Sequence, residues 1–166
     1  MGAKGLHRVG LFVDTQNLYY SARDYHQRNV NYEQLLHYAR QERELAFAAA
    51  YVVSRGDSNQ GFVSKLNHLG YRVRVRQVLE HRRDDGSTEL EGDWDMGIAA
   101  DIVRALSFID VVVLASGDGD FVPMLELAQE RGCRVEVISI GESSSQALEA
   151  CADSFYNLSE DPKAFL

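Results

Sequence analysis

Several carboxylates in this sequence stand where short apolar runs end, at the points where a chain leaves a strand and its side chains become free to do chemistry. Asp14 closes Val9–Val13 and is followed three residues later by Asn17; Ser116-Gly117-Asp118-Gly119-Asp120 follows Val111–Ala115; and Glu91-Gly92-Asp93-Trp94-Asp95 opens a helical pattern. If these three segments converge, they form an oxygen-only cluster suited to magnesium or manganese, and no His or Cys grouping competes for a softer metal. Two such ions, about 3.5–4 Å apart, would activate water and stabilise the leaving oxygen of a phosphodiester.

Each of these residues also has an ordinary role. Asp14 could simply cap the helix that follows it, and Asp120, just ahead of Phe121-Val122-Pro123, fits an N-cap better still. Asp118 lacks that explanation, because it lies between two glycines that let the backbone bend closely around whatever the carboxylate holds. Asp95 suits a cap or a metal equally, and Asp93 is the kind of residue more often solvated than functional. Asp101, six residues after Asp95, is rotated by about 240° on a helix and leaves its face, so local bonding is the expectation for it. Asn17 either turns the loop or positions water and phosphate.

The elements that must carry these groups are legible from periodicity. Val9–Val13, Leu45–Val53, Val111–Ala115 and Arg134–Ile140 read as strands, the longer ones apolar on both faces, as in parallel sheets. Helical spacing covers Leu18–Tyr25, Tyr32–Arg40, Gln60–Leu69, Met96–Leu106, Phe121–Glu130 and Ser144–Cys151, with Gly70 and Gly132 as stops. Tyr71–Val78 alternates, with Arg72, Arg74 and Arg76 on one face, as expected of a charged sheet edge with one side in water. His81–Glu91 reads as a loop or hairpin. Alternating strands and helices imply an α/β fold: a mostly parallel central sheet with helices on both faces, its ligand beyond the carboxyl ends of the strands.

Composition narrows the partners. The chain has 166 residues, which suggests one domain over 1–166. Its 17 basic and 25 acidic side chains give a net charge of −8, so any nucleic-acid contact must be local. No apolar run is long enough to cross a bilayer, and Met1–His7 is too short and polar for a signal peptide, so a cytoplasmic protein is expected. Cys133 and Cys151 follow no paired motif and are expected as buried thiols. Val122 stands where a dinucleotide fingerprint beginning at Gly117 needs its third glycine, and neither a P-loop nor a serine-nucleophile elbow is present. Gln16, two residues after Asp14, weakens an aspartyl-phosphatase reading.

Phe12-Val13-Asp14-Thr15-Gln16-Asn17, Asp93-Trp94-Asp95 and Ser116-Gly117-Asp118-Gly119-Asp120-Phe121, in this order, resemble the NYN-domain family, in its LabA-like branch, from Val9 to about Asn157. The resemblance implies a three-layer, PIN-like Rossmannoid fold with the arginine strand at an edge, and a magnesium- or manganese-dependent ribonuclease site acting on RNA. Carried over by position, Asp14, Asp95, Asp118 and Asp120 are the metal-binding carboxylates and Asn17 a further site residue, with Asp93, Asp101 and Ser116 in a second tier. Where many relatives carry a lysine shortly before the central aspartate, this chain has Glu91 and an added Asp93, which makes that lip more acidic.

An acidic pocket needs cations to hold a polyanion, and Arg72, Arg74, Arg76, Arg82 and Arg83 are the candidates for RNA phosphates; the alternative for them is edge protection and a solvated loop. Tyr19, Tyr20 and Tyr25 could stack on bases, although their spacing favours a packed helix face. Two rival functions stay open: a regulatory module that binds RNA or a protein partner without turnover, and a small phosphohydrolase. The chain is compatible with a homodimer.

Overall fold

The apolar runs settle into the arrangement that buries both of their faces. The computed structural model describes residues 7–166, apart from the side chains of 79–81 and 88–91, so Glu91's carboxyl and the first six residues lie outside the description. In chain order the elements are β1 (Arg8–Asp14), α1 (Thr15–His26), α2 (Tyr32–Arg40), β2 (Glu44–Ser54), α3 (Gln60–Leu69), β3 (Arg72–Gln77), β4 (Leu79–Arg82), β5 (Thr88–Glu91), α4 (Asp95–Ala105), β6 (Val111–Ala115), α5 (Val122–Glu130), β7 (Arg134–Ser139), α6 (Gln146–Cys151) and β8 (Ser154–Asn157).

Six strands form one sheet in the order β3-β2-β1-β6-β7-β8, and every pairing in it is parallel. Side chains alternate across it. Val9, Leu11, Val13, Val111 and Val113 face Leu18 and Ala22 of α1, Leu35 of α2 and Leu66 of α3. Phe12, Val112 and Leu114 face Ile98 and Ile102 of α4, Leu125 of α5 and Leu148 of α6. The result is a three-layer α/β fold with a core on each side of the sheet, where each fully buried Leu, Ile or Phe contributes roughly 1.5–3 kcal/mol. The positive φ of Gly70 and Gly132 ends α3 and α5 where the sequence places the stops.

From β1 the chain builds outward to β2 and β3; from β6 it builds the other way to β7 and β8. The reversal lies between β1 and β6, which opens a crevice at their carboxyl ends. Asp14 and Ser116 are the residues there.

Several details sharpen or correct the sequence reading. The segment expected as a loop or hairpin is an antiparallel hairpin of β4 and β5. A short strand, β8, completes the sheet beside β7; at four residues it carries too little periodicity to announce itself. β3 is an edge and its Arg72, Arg74 and Arg76 are exposed, as the alternation predicts; they also cover aromatic rings, Arg72 lying over Phe47 and Arg74 and Arg76 over Trp94. Val75, on the face expected to be covered, is itself 43% exposed. Tyr19, Tyr20 and Tyr25 do not pack into the helix face that their spacing suggests; all three are exposed. Cys133 is buried and Cys151 half-buried, both free thiols. No helix among the described residues is long and apolar enough to cross a membrane.

Candidate active site

Two of the chain segments that frame the crevice hydrogen-bond to each other. Asp14, at the end of β1, is the N-cap of α1 and accepts the Asn17 amide on Oδ1 at 3.3 Å. Its Oδ2 accepts the Ser116 hydroxyl at 3.1 Å, and the Ser116 oxygen in turn accepts the Asp118 amide at 3.2 Å. Asn17 closes the circuit by accepting the Gly117 amide on its side-chain oxygen at 2.9 Å. The start of α1 and the turn after β6 are therefore fastened together by Asp14, Asn17 and Ser116. Thr15 adds a bond to the neighbouring strand, its hydroxyl donating to the Tyr51 carbonyl at 2.6 Å.

The turn Ser116–Asp120 is compact for a steric reason. A Cβ at Gly119 would lie 2.6 Å from Ser145 Oγ, and one at Gly117 would lie 2.8 Å from Ser139 Oγ and 3.1 Å from Ser144 Cα. Neither glycine has a positive φ; they are needed so that the turn can lie against the loop before α6, not so that the backbone can bend. Capping is also exchanged relative to expectation. Asp118, not Asp120, caps the single 3-10 turn Gly119–Phe121, accepting the Asp120 amide at 2.9 Å, and α5 has no side-chain cap.

Asp95 opens α4 without capping it. Asp93 accepts the Asp95 amide at 3.1 Å and so fixes the entry of the helix, while the Trp94 indole N–H donates to the Val52 carbonyl at 3.0 Å and anchors that entry to β2. A side chain at position 97 would strike the Trp94 ring at 2.5 Å, so Gly97 lets the ring fold back under α4.

These placements bring Asp95, Asp118 and Asp120 together, each offering a carboxylate oxygen within 4.8 Å of the others. Asp14 lies outside that set, only 7% exposed, and acts on it through space. Burial pushes the Asp14 carboxyl up to about 6; the hydrogen bonds from Asn17 and Ser116 offset part of this, and Asp118 and Asp93 add to it. Asp95 is pushed up to about 7, first by burial and then by a hydrogen bond to the Asp118 carboxyl and by the negative charges of Asp118, Asp14 and Asp93. No cationic side chain pairs with Asp95, Asp118 or Asp120 among the described residues. Like charges held together without a counter-ion, in hard oxygen donors, fit a divalent cation such as Mg²⁺ or Mn²⁺.

The remaining sequence candidates lie elsewhere. Asp101 points away from the cluster and is spent locally: it accepts the Tyr51 hydroxyl at 2.8 Å and pairs with Arg74 at 2.5 Å and Arg104 at 2.7 Å. Although burial works against ionisation, the bonds from Arg74 and Tyr51 hold its carboxyl below the usual range. Arg76 donates to the Asp93 carbonyl at 2.5 Å and covers Trp94. Arg82 and Arg83 are exposed on the hairpin. Periodicity gave no sign of Trp94 as the wall between the acidic cluster and the arginine strand, nor of Ser145 as the surface on which Gly119 rests. The pair of glycines flanking Asp118 was the available signal for the latter.

A parallel three-layer α/β sheet, with carboxylates gathered where its strand order reverses, defines a doubly wound α/β domain with its site at the switch point. The chain belongs to the NYN domain family, whose profile matches residues 8–159. It is 29% identical over 161 residues to the low amplitude and bright protein LabA of Synechococcus elongatus, covering 92% of this chain and 84% of that one. The crystal structure of a protein of unknown function from Vibrio parahaemolyticus, 34% identical, superposes over 100% of both chains with a TM-score of 0.87.

Proposed function

We propose that this protein is a metal-dependent ribonuclease that hydrolyses RNA phosphodiester bonds at the carboxyl ends of β1 and β6. The observation that carries this reading is the uncompensated trio Asp95, Asp118 and Asp120, with oxygens within 4.8 Å of one another, in a chain of the NYN family. Asp95, Asp118 and Asp120 would hold Mg²⁺ or Mn²⁺, with Asp14 supporting them from the buried side. When bound, a divalent ion of this kind supplies activation of water and charge stabilisation at the leaving oxygen.

The chain's own residues set up the rest. Asp14 orients the Ser116 hydroxyl, Ser116 fixes the Asp118 amide, and Asn17 holds the Gly117 amide, so the turn bearing Asp118 and Asp120 is held in place before substrate arrives. Asp93 sets the first turn of α4 and with it Asp95. Arg82 and Arg83, exposed on the hairpin, would meet RNA phosphates, while Arg74 pairs with Asp101 and Arg76 with the Asp93 carbonyl.

The test is cleavage of a labelled single-stranded RNA in manganese or magnesium, beside a chelator control and a folded Asp118→Asn variant. Metal-dependent cleavage that the variant loses is the expected result. No cleavage, or equal cleavage by both proteins, overturns the reading. Turnover of mononucleotides without cleavage of RNA would replace it with a small phosphohydrolase.

A further inference from the structure

Beside the acidic cluster lies a second, chemically different cavity. Tyr19 and Tyr20 of α1, Phe62 and Lys65 of α3, and Arg55 just past β2 line a cleft of about 480 Å³, inside the roughly 300–1,000 Å³ span of small-ligand sites. The two tyrosines are 49% and 57% exposed and their rings meet edge to face at 5.5 Å, so both present aromatic surface to solvent. Neither Arg55 nor Lys65 makes an ion pair among the described residues. The cleft borders the carboxylate site: Thr15 and Gln16, which follow Asp14, and Gly92, which precedes Asp93, belong to its lining.

In a chain of net charge −8, two uncompensated cations and two exposed rings at the mouth of one cleft match a ligand that is anionic and has flat apolar faces. A single nucleic-acid strand is such a ligand: its bases stack on aromatic side chains while its phosphates meet Arg and Lys. Resting on the ribonuclease reading, we propose that this cleft binds an unpaired base of a single-stranded RNA, stacked on Tyr19 or Tyr20, with Arg55 and Lys65 on the adjoining phosphates. The bound strand is thereby led past Gln16 and Gly92 to the carboxylates. Arg55, just past β2, and Lys65 of α3 then add cations on the sheet face that α1 and α3 cover, whereas Arg74 and Arg76 lie over Trp94 on the opposite face.

The experiment measures fluorescence anisotropy of labelled oligouridylate and oligoadenylate, in magnesium, with Asp118→Asn as the parent protein so that binding is read apart from turnover. Tyr19→Ala and Tyr20→Ala are compared with the Phe variants at the same positions and with Tyr25→Ala, an exposed tyrosine of the same helix outside the cleft. At least one of the two alanine variants weakens binding by about 5- to 100-fold, the Phe variants retain it, and Tyr25→Ala leaves it unchanged. Arg55→Gln with Lys65→Gln lowers the slope of log affinity against log salt by about 1.4, the loss of two single-strand phosphate contacts. Unchanged affinity in both tyrosine variants, equal weakening by Tyr25→Ala, absence of oligonucleotide binding by the parent, or equal affinity for free mononucleotides each overturns the assignment. If the wild-type protein cleaves RNA while the tyrosine variants bind normally, the cleft assignment fails alone. If the cleft binds RNA and the wild-type protein cleaves none, the ribonuclease reading fails alone.

Discussion

Asp95 and Asp101 lie on one helix and are carboxylates in opposite circumstances. Asp101 faces the arginine edge, where Arg74, Arg104 and the Tyr51 hydroxyl surround it and its proton is held less tightly than usual. Asp95 faces the crevice, where its neighbours are Asp118, Asp14 and Asp93 and its carboxyl is pushed up to about 7. Trp94 separates the two regions, its ring covered by Arg74 and Arg76. The amino end of the sheet repeats the compensated pattern, with Glu136 between Arg43 and Arg134. Electrostatic compensation is thus available in this chain and is applied around Asp101 and Glu136, and the carboxyl ends of β1 and β6 are left without it. The proposed divalent-cation site rests on this contrast: a group of like charges that the fold could have neutralised and did not.

The largest effect expected from this contrast is on turnover. Asp118→Asn and Asp95→Asn each remove a charge from the uncompensated trio and should lower metal-dependent RNA cleavage by about 100-fold or more, whereas Asp101→Asn should change it only a few-fold. Rates of labelled-RNA cleavage at saturating manganese check this; a loss at Asp101 as large as at Asp95 would erase the distinction. Next in size is the wall itself. Trp94→Ala removes a buried ring, its bond to the Val52 carbonyl and the surface on which two arginines rest. It should destabilise the fold by about 3–5 kcal/mol, read by urea denaturation.

Much of this was legible in the sequence, and for stateable reasons. The parallel sheet follows from Leu45–Val53 and Val111–Ala115, which are apolar on both faces and can be buried no other way. Asp14 and Asp118 were found because they follow such runs, and the rule that ligands lie beyond strand ends selects them. What stayed hidden depended on tertiary neighbours. That the exposed Arg74 also pairs with Asp101 is decided by the crossing of β3 and α4, which no local spacing encodes. The exposure of Tyr19 and Tyr20 follows from how much of α1 the sheet and its neighbouring helices cover, and the helical period fits a packed face equally well. Arg55 was readable only as part of a strand boundary, although the same strand-end rule applies to β2.

The pH dependence of stability divides the two regions. Asp14 and Asp95 bind protons more tightly folded than unfolded, at about 6 and about 7 against the ordinary 3.8. Their contribution is therefore fully present below about 3.8 and is lost as pH rises through 6 and 7. Asp101 and Glu136, with carboxyls held low, behave oppositely: their contribution is present above the ordinary carboxylate range and lost only as pH falls below it. Between pH 5 and 8 the acidic cluster alone is titrating among these groups, so the metal-free protein should lose stability and its Tm should fall as pH rises. Asp95→Asn should flatten the trend. Added magnesium should counter it, because binding needs ionised carboxylates and strengthens with pH. Differential scanning calorimetry with and without chelator checks this; a metal-free Tm that rises from pH 5 to 8 would contradict the uncompensated state of the cluster.

The smallest effect probes the compensated side. The Arg74 side chain is 46% exposed and that of Asp101 19%, so solvent screens the pair, and a double-mutant cycle of Arg74→Ala with Asp101→Asn should give a coupling of about 0.5–1 kcal/mol. Arg74→Ala alone should cost somewhat more, because it also uncovers Trp94. The informative quantity is where Asp101 titrates afterwards. With Arg74 gone, burial is opposed only by Arg104 and the Tyr51 hydroxyl, so the Asp101 carboxyl should move upward, towards the condition of Asp95, measurable by NMR titration of its side chain. Movement of Asp101 with Asp95 unmoved would establish that Trp94 separates two independent electrostatic regions. A shift at both would mean that Arg74 already serves as a distant counter-ion for the cluster, and that the contrast between the two ends of α4 is one of degree.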